Sequence, residues 1–154
     1  VRPGRRRLFV LVAVLVATAA IVGVRLWLKA RAATPDLEEE IRAAFGAGKP
    51  VVAVFTYGGD CCEGTRAFFR AYDDAVRAVL GDFEGSVAEL WVDVARASND
   101  RTRATVLELA ERLGVTQVPS VALVEASGTV AQVFTGPVDA AVLRGALEDL
   151  VGGE

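Results

Sequence analysis

The residues best suited to covalent chemistry are two adjacent cysteines, Cys61 and Cys62, in the stretch Asp60-Cys61-Cys62-Glu63-Gly64-Thr65; the chain has no other cysteine. It has no His and no Met either. That removes histidine-centred triads, His-ligated metal sites and methionine copper sites. What remains is thiol chemistry, in which the thiolate is the nucleophile and the soft-metal ligand. Metal binding is the weaker expectation, because nothing completes a coordination set around two neighbouring thiols. The sequence therefore implies no metal and no cofactor.

Cys62 reads as the first residue of a helix running to Leu80. A thiolate there is stabilised by the free N–H groups and dipole of the helix start. Arg66, one turn on, adds to this, while Asp60 and Glu63 oppose it as like charges. On the catalytic reading Cys62 attacks a disulfide sulfur and Cys61 resolves the mixed disulfide. A vicinal Cys61–Cys62 disulfide is a second use of the pair. It closes a strained ring, with Gly58, Gly59 and Gly64 supplying local freedom. In the third, both cysteines are inert at a helix start in a domain kept for its shape.

The elements that must position these residues follow from hydrophobic period and punctuation. Thr34 as cap and Pro35 at the first helical position predict a helix with Leu37, Ile41, Ala44 and Phe45 on one face. Glu38, Glu39 and Glu40 favour its positive end. Val51–Thr56 is a continuous apolar run, expected as a buried strand. Tyr57–Asp60 is a loop. The helix from Cys62 to Leu80 places Phe68, Tyr72, Ala75, Val76, Val79 and Leu80 on its core side. Val87–Val94 alternates, with Ala88, Leu90, Val92 and Val94 facing one way and Glu89, Trp91 and Asp93 the other. Arg101–Leu113 is a helix closed by Gly114. Val121–Glu125 and Thr129–Phe134 are strands around the Ser127-Gly128 hairpin. A last helix starts at Pro137, with Val142, Leu143, Ala146, Leu147 and Leu150 inward. Exposed aromatics such as Phe69 and Trp91 are packing by default. The order is α-β-α-β-α-β-β-α, an α/β class with a mixed sheet and helices on both faces.

This order resembles the thioredoxin fold over residues 35–151. Val118-Pro119-Ser120 sits before the third strand, where thioredoxins carry a cis-proline, and Ser127-Gly128-Thr129-Val130 is similar to the hairpin that follows. The cysteine motif departs from the family's Cys-x-x-Cys. In one alignment Cys62-Glu63-Gly64-Thr65 replaces it, with Thr65 in place of the resolving Cys. In the other, Tyr57 to Gly64 resembles the Tyr-Asp-Gly-x-Cys-x-x-Cys signature of DCC-type oxidoreductases. Cys61 is then the attacker and Gly64 stands for the resolver. The first keeps the longer helix register. Val54 stands where many thioredoxins keep a buried acid. The resemblance implies a substrate-binding role for Pro119 and Val118 beside the sulfur, and lets Thr65 hydrogen-bond it.

The N-terminal part differs in composition. Residues 1–33 hold Arg2, Arg5, Arg6, Arg7, Arg25, Lys29 and Arg31 and no acid, while residues 34–154 carry a net charge of −10. So acidic a body has no footprint for nucleic acid. Leu8–Val24 contains no charge. Extended through Leu28 it makes a helix of about 31 Å, the thickness of a hydrocarbon core. Residues 1–33 are thus expected to be a basic start and one transmembrane helix (about 8–28), followed by a thioredoxin-like domain over 34–154. A cleaved signal peptide competes, as does a faint twin-arginine pattern at Arg5-Arg6-Arg7-Leu8-Phe9; the apolar run is longer than a usual signal core. Four basic residues before the span against three after it put the N-terminus in the cytoplasm and the domain on the extracytoplasmic side. The expected partners are the lipid bilayer and a protein. The expected function is atypical thiol–disulfide exchange on that protein. The alternative is a redox-inactive subunit or assembly factor of a membrane complex, with Ala13, Ala17, Ala20 and Gly23 at spacings that pack against another helix.

Overall fold

A computed structural model describes residues 36–60 and 62–153. The segment expected to span the membrane, the Thr34-Pro35 start and Cys61 lie outside the described residues. The elements are α1 (Leu37–Gly46), β1 (Val51–Thr56), α2 (Glu63–Leu80), β2 (Ala88–Asp93), α3 (Asp100–Leu113), β3 (Ser120–Val124), β4 (Val130–Thr135) and α4 (Ala140–Gly152). Among the described residues no helix is long and apolar enough to cross a membrane.

The four strands form one mixed sheet in the order β2-β1-β3-β4. β1 pairs parallel with β2 and antiparallel with β3, and β3 pairs antiparallel with β4. No residue of β1 is more than 6% exposed. Its side chains alternate between two cores. Val51, Ala53 and Phe55 pack with Ala44 of α1 and with Val106, Leu109 and Leu113 of α3. Val52 and Val54 pack with Tyr72, Val76, Val79 and Leu80 of α2 and with Leu143 and Leu147 of α4. A strand apolar on both sides needs such a double cover.

Several local expectations shift. α1 begins at Leu37 with Asp36, in extended conformation, at its N-cap. α4 begins at Ala140, three residues beyond Pro137, because Asp139 Oδ1 accepts from the N–H groups of Ala141 (2.8 Å) and Val142 (3.3 Å). A carboxylate meeting two of the first free N–H groups outranks a proline that merely fits the first turn. Val142, expected inward, is 55% exposed, and Phe68 is 45% exposed; Ala75 is exposed too. In each case the buried stripe is narrower than the apolar stripe. Trp91 is half-buried in packing, with the Arg77 guanidinium 3.8 Å over its ring and its Nε1–H donated to Glu89 Oε2 at 3.0 Å. Gly114 closes α3 at φ 72°, which a residue with a Cβ adopts only at a cost. Arg101 donates two hydrogen bonds to Glu38, at 2.8 and 2.6 Å, tying α1 to α3.

Leu147, wholly buried against α2 and β1, should lose about 2–5 kcal/mol on Leu147→Ala. Val142→Ala on the same helix should stay within about 0.5 kcal/mol. Chemical denaturation of the two variants checks the pair.

The Tyr72 hydroxyl is buried without a hydrogen-bond partner among the described residues. Burial, and then the neighbouring Asp73 charge, push its ionisation up to about 12. A phenol whose folded pKa lies above its unfolded value of about 10 adds stability below pH 10 and loses it between about 10 and 12. Tyr72→Phe should remove that alkaline loss and leave stability at pH 7 unchanged or raised by about 1 kcal/mol, since the orphaned hydroxyl is gone. Denaturation midpoints across pH 7 to 11.5 test this.

Candidate functional site

The site grows from the end of β1. The register pairs Phe55 with Ser120 across the sheet and Thr56 with Asp93 on the other side. The chain leaving Thr56 toward Cys62 and the chain arriving at Ser120 through Pro119 therefore meet at one end of the sheet. Cys62 is the N-cap of α2, with extended backbone, and is exposed. Its Sγ lies 3.1 Å from Thr65 Oγ1, in the first turn of the helix. That contact was expected of Thr65. A threonine hydroxyl can donate to a thiolate, so this pair is fit to stabilise sulfur in its reactive form. Arg66 is turned to Asp60 at 3.6 Å. Two of the three charges expected to act on the sulfur, of opposite sense, thus face each other.

Val118–Pro119 is a cis peptide bond. Pro119 is buried and Val118 half-buried. The Gly136 N–H donates to Pro119 O at 2.8 Å, and Ser120 Oγ donates to Gln117 O at 2.7 Å, so the segment is held on both sides. Val118 lines an apolar groove of about 510 Å3 with Phe55, Val94, Val106, Leu107 and Val115. Leu107 is 62% exposed. The sheet end thus carries Cys62 and Thr65 on the helix start and Val118 and Pro119 on the strand entry. Cys61 and any bond it makes lie outside the described residues.

Two carboxylates support this end of the sheet, and the sequence reading assigned neither a role. Asp93 Oδ1 accepts from Gly58 N (2.9 Å) and from Ala95 N (2.9 Å). It ties the loop that leads to Cys62 onto β2. A Cβ on Gly58 would lie 2.7 Å from Asp93 Oδ2, so the close approach needs glycine. Asp73, on α2, accepts from Thr56 Oγ1 at 2.7 Å. Burial raises its ionisation above the ordinary 3.8, with Asp93 and Asp74 adding to the rise; the Thr56 hydrogen bond and Arg77 pull the other way. Val54, noted for the acid it lacks, is wholly buried among apolar side chains. The signal for Asp93 was only its place near the end of the alternating run Val87–Val94; its pairing with Thr56 is a matter of register. The signal for Asp73 was an acid directly beside the buried Tyr72 on a helix whose apolar stripe leaves it half covered.

A cavity of about 400 Å3 opens on this side of α2, lined by Tyr57, Gly58, Glu63, Arg66, Phe69, Arg70 and Asp73. Tyr57 and Phe69 stack at 5.7 Å and 57°. Phe69 is therefore engaged in packing. Among the described residues no group of three or more His, Cys, Asp or Glu is placed to hold a metal ion.

No family model matches the chain, and no curated protein matches its sequence. Solved structures do match in shape. A point mutant of a thioredoxin from Halobacterium salinarum superposes with TM-score 0.50 at 19% identity, over 72% of this chain and 82% of its own. The germline-specific thioredoxin Deadhead of Drosophila melanogaster gives 0.51 at 19%, over 73% and 90%. Oxidised thioredoxin O2 of Arabidopsis thaliana gives 0.51 at 18%, over 74% and 85%. The domain has the thioredoxin-like fold, and its cysteine site stands where the sheet and first crossover helix of that fold meet.

Gly58→Ala should destabilise the domain by about 1–3 kcal/mol, the cost of forcing a methyl into a filled space. In an Asp93→Ala background the same change should cost at least about 0.5 kcal/mol less, because the obstructing oxygen is absent. A double-mutant cycle by denaturation measures this; additivity would remove Asp93 from the support of the loop.

Proposed function

We propose that this chain is a membrane-anchored thioredoxin-fold protein that carries out atypical thiol–disulfide exchange through Cys62. The single observation that carries this is an exposed cysteine at the N-cap of α2, with its sulfur 3.1 Å from the Thr65 hydroxyl. Attack by the Cys62 thiolate on a disulfide sulfur forms the mixed disulfide and expels the partner's second sulfur as thiolate. Thr65 donates to the attacking sulfur. A protein partner laid along Val118 finds apolar cover in the neighbouring groove. Residues 8–28 anchor the chain in the bilayer. The basic residues around them place the domain on the extracytoplasmic side, where disulfides persist.

One observation favours a second reading. Thr65, where a resolving thiol would stand, cannot accept a disulfide. A redox-inactive subunit that docks to a membrane complex through the Val118 groove would need no such thiol.

In cells, Cys61→Ser should trap disulfide-linked partners and Cys62→Ser should not. Thr65→Val should slow alkylation of Cys62 at pH 7 by about three- to tenfold, the worth of one hydrogen bond to a charged sulfur. No trapped partner in either variant, together with a stable one-to-one membrane complex, would establish the subunit reading instead.

A further inference from the structure

The cavity beside the start of α2 has a charge pattern that packing alone does not require. Arg66 and Arg70 stand one helical turn apart on its wall, and Glu63 and Asp73 stand on the same wall. Arg70 donates Nε to Arg66 O at 3.3 Å and lines the cavity, and that bond leaves its two terminal nitrogens uncommitted to it. Asp73 gives one oxygen to Thr56. Its carboxyl is half-buried on the cavity wall, and burial, then Asp93 and Asp74, work against the charged form, while the Thr56 hydrogen bond and Arg77 favour it. Tyr57 and Phe69 supply an apolar wall. A ligand matching these groups carries a carboxylate for the arginines, an ammonium for Asp73 and a short apolar stem between. Glu63, which lines the cavity, is the residue next to Cys62, and Arg66 N–H donates to Cys62 O at 3.2 Å.

We propose that this cavity seats the amino-acid end of a small disulfide, one bearing an α-ammonium and an α-carboxylate beside each sulfur, and presents its sulfur to Cys62. The proposal rests on the exchange reading above and names a low-molecular-weight substrate for the same site. The carboxylate lies on Arg70, whose planar guanidinium binds it through two parallel contacts, with Arg66, already paired to Asp60, adding only its nearby charge. The ammonium lies on Asp73. The Cys62 thiolate attacks the nearer sulfur, a Cys62–S–S–R bond forms, the original S–S bond breaks, and R–S⁻ leaves and takes a proton from water. Cys62 is oxidised to the mixed disulfide and the small disulfide is reduced to one thiol. A second small thiol, R–SH, losing its proton to water, returns Cys62 and regenerates R–S–S–R.

The test uses the full-length chain with Cys61→Ser, so that one thiol remains. Four disulfides are compared: cystine with both charges, cystamine with the ammonium alone, dithiodiglycolate with the carboxylate alone, and hydroxyethyl disulfide with neither. The rate of mixed-disulfide formation is read by mass, and each rate is divided by that of the same disulfide with N-acetylcysteine. Cystine should exceed hydroxyethyl disulfide by about tenfold or more, the worth of one charge-assisted contact, with the singly charged pair between. Arg70→Gln should erase the dithiodiglycolate advantage, and Asp73→Asn the cystamine advantage. Arg103→Gln, on α3, should preserve both. Equal normalised rates for all four disulfides overturn the proposal. If none of the four forms a mixed disulfide, the exchange reading fails, and the cavity is then judged by binding alone. S-Methylcysteine, which has the same charged end and cannot exchange, is titrated by NMR; binding lost in Asp73→Asn upholds the seat for the amino-acid end, and no binding overturns it.

Discussion

The domain depends on one strand being apolar on both sides. β1 is buried along its whole length, and alternate side chains enter two separate cores. A strand of that kind has no solvent face to offer, so helices must cover both sides of the sheet. α1 and α3 do so on one side, α2 and α4 on the other. The same burial fixes the exit of the chain. The first place where polar backbone can meet water is the end of β1, and there the loop toward Cys62 begins. The site lies at the sheet end because the sheet interior excludes it.

The support of that loop is polar, and it comes from neighbouring elements rather than from the loop. Asp93 holds it from β2 through Gly58, and Thr56 is held from α2 by Asp73. A carboxylate accepting from a backbone N–H, as Asp93 does, or from a hydroxyl, as Asp73 does, makes a firm contact in a short segment that has little apolar surface of its own. The cost falls on Asp73: burial, and to a lesser degree the like charge of Asp93, raises its ionisation. A cationic group in the adjoining cavity would offset that cost.

How much of this was legible in the sequence follows from what each residue must do. The strand Val51–Thr56 was read to the residue, because a run apolar at every position admits few alternatives once turn residues bound it. The alternation of β2 was read with its faces correct. Helix starts were read less well. Pro137 suits a first turn by backbone shape, yet the cap observed for α4 is Asp139. At α4 the start is set by the Asp139 side chain reaching two free N–H groups, a three-dimensional matter, whereas the Asp36 side chain makes no such bond at α1. Phe68 and Val142 lie at the margins of apolar stripes, and only the packing partner decides whether a margin is covered. Cys62 and Pro119 stand out in the sequence because thiols and prolines are scarce, and Thr65 and Val118 follow from the resemblance around them. Asp73 and Asp93 do neither. Acids are common in this chain, and nothing in a string of letters says that two of them, on different elements, converge on one loop.

The Arg77 guanidinium lies over the Trp91 ring, joining α2 to β2. Trp91 is the only tryptophan among the described residues. An indole covered by a cation sits in a different electric field from one facing water, and its emission differs accordingly. The helix that bears Cys62 thus comes with its own optical gauge: once Trp27 is replaced by Phe, light from Trp91 reports whether that helix lies flush against the sheet or has been levered away, with no dye attached.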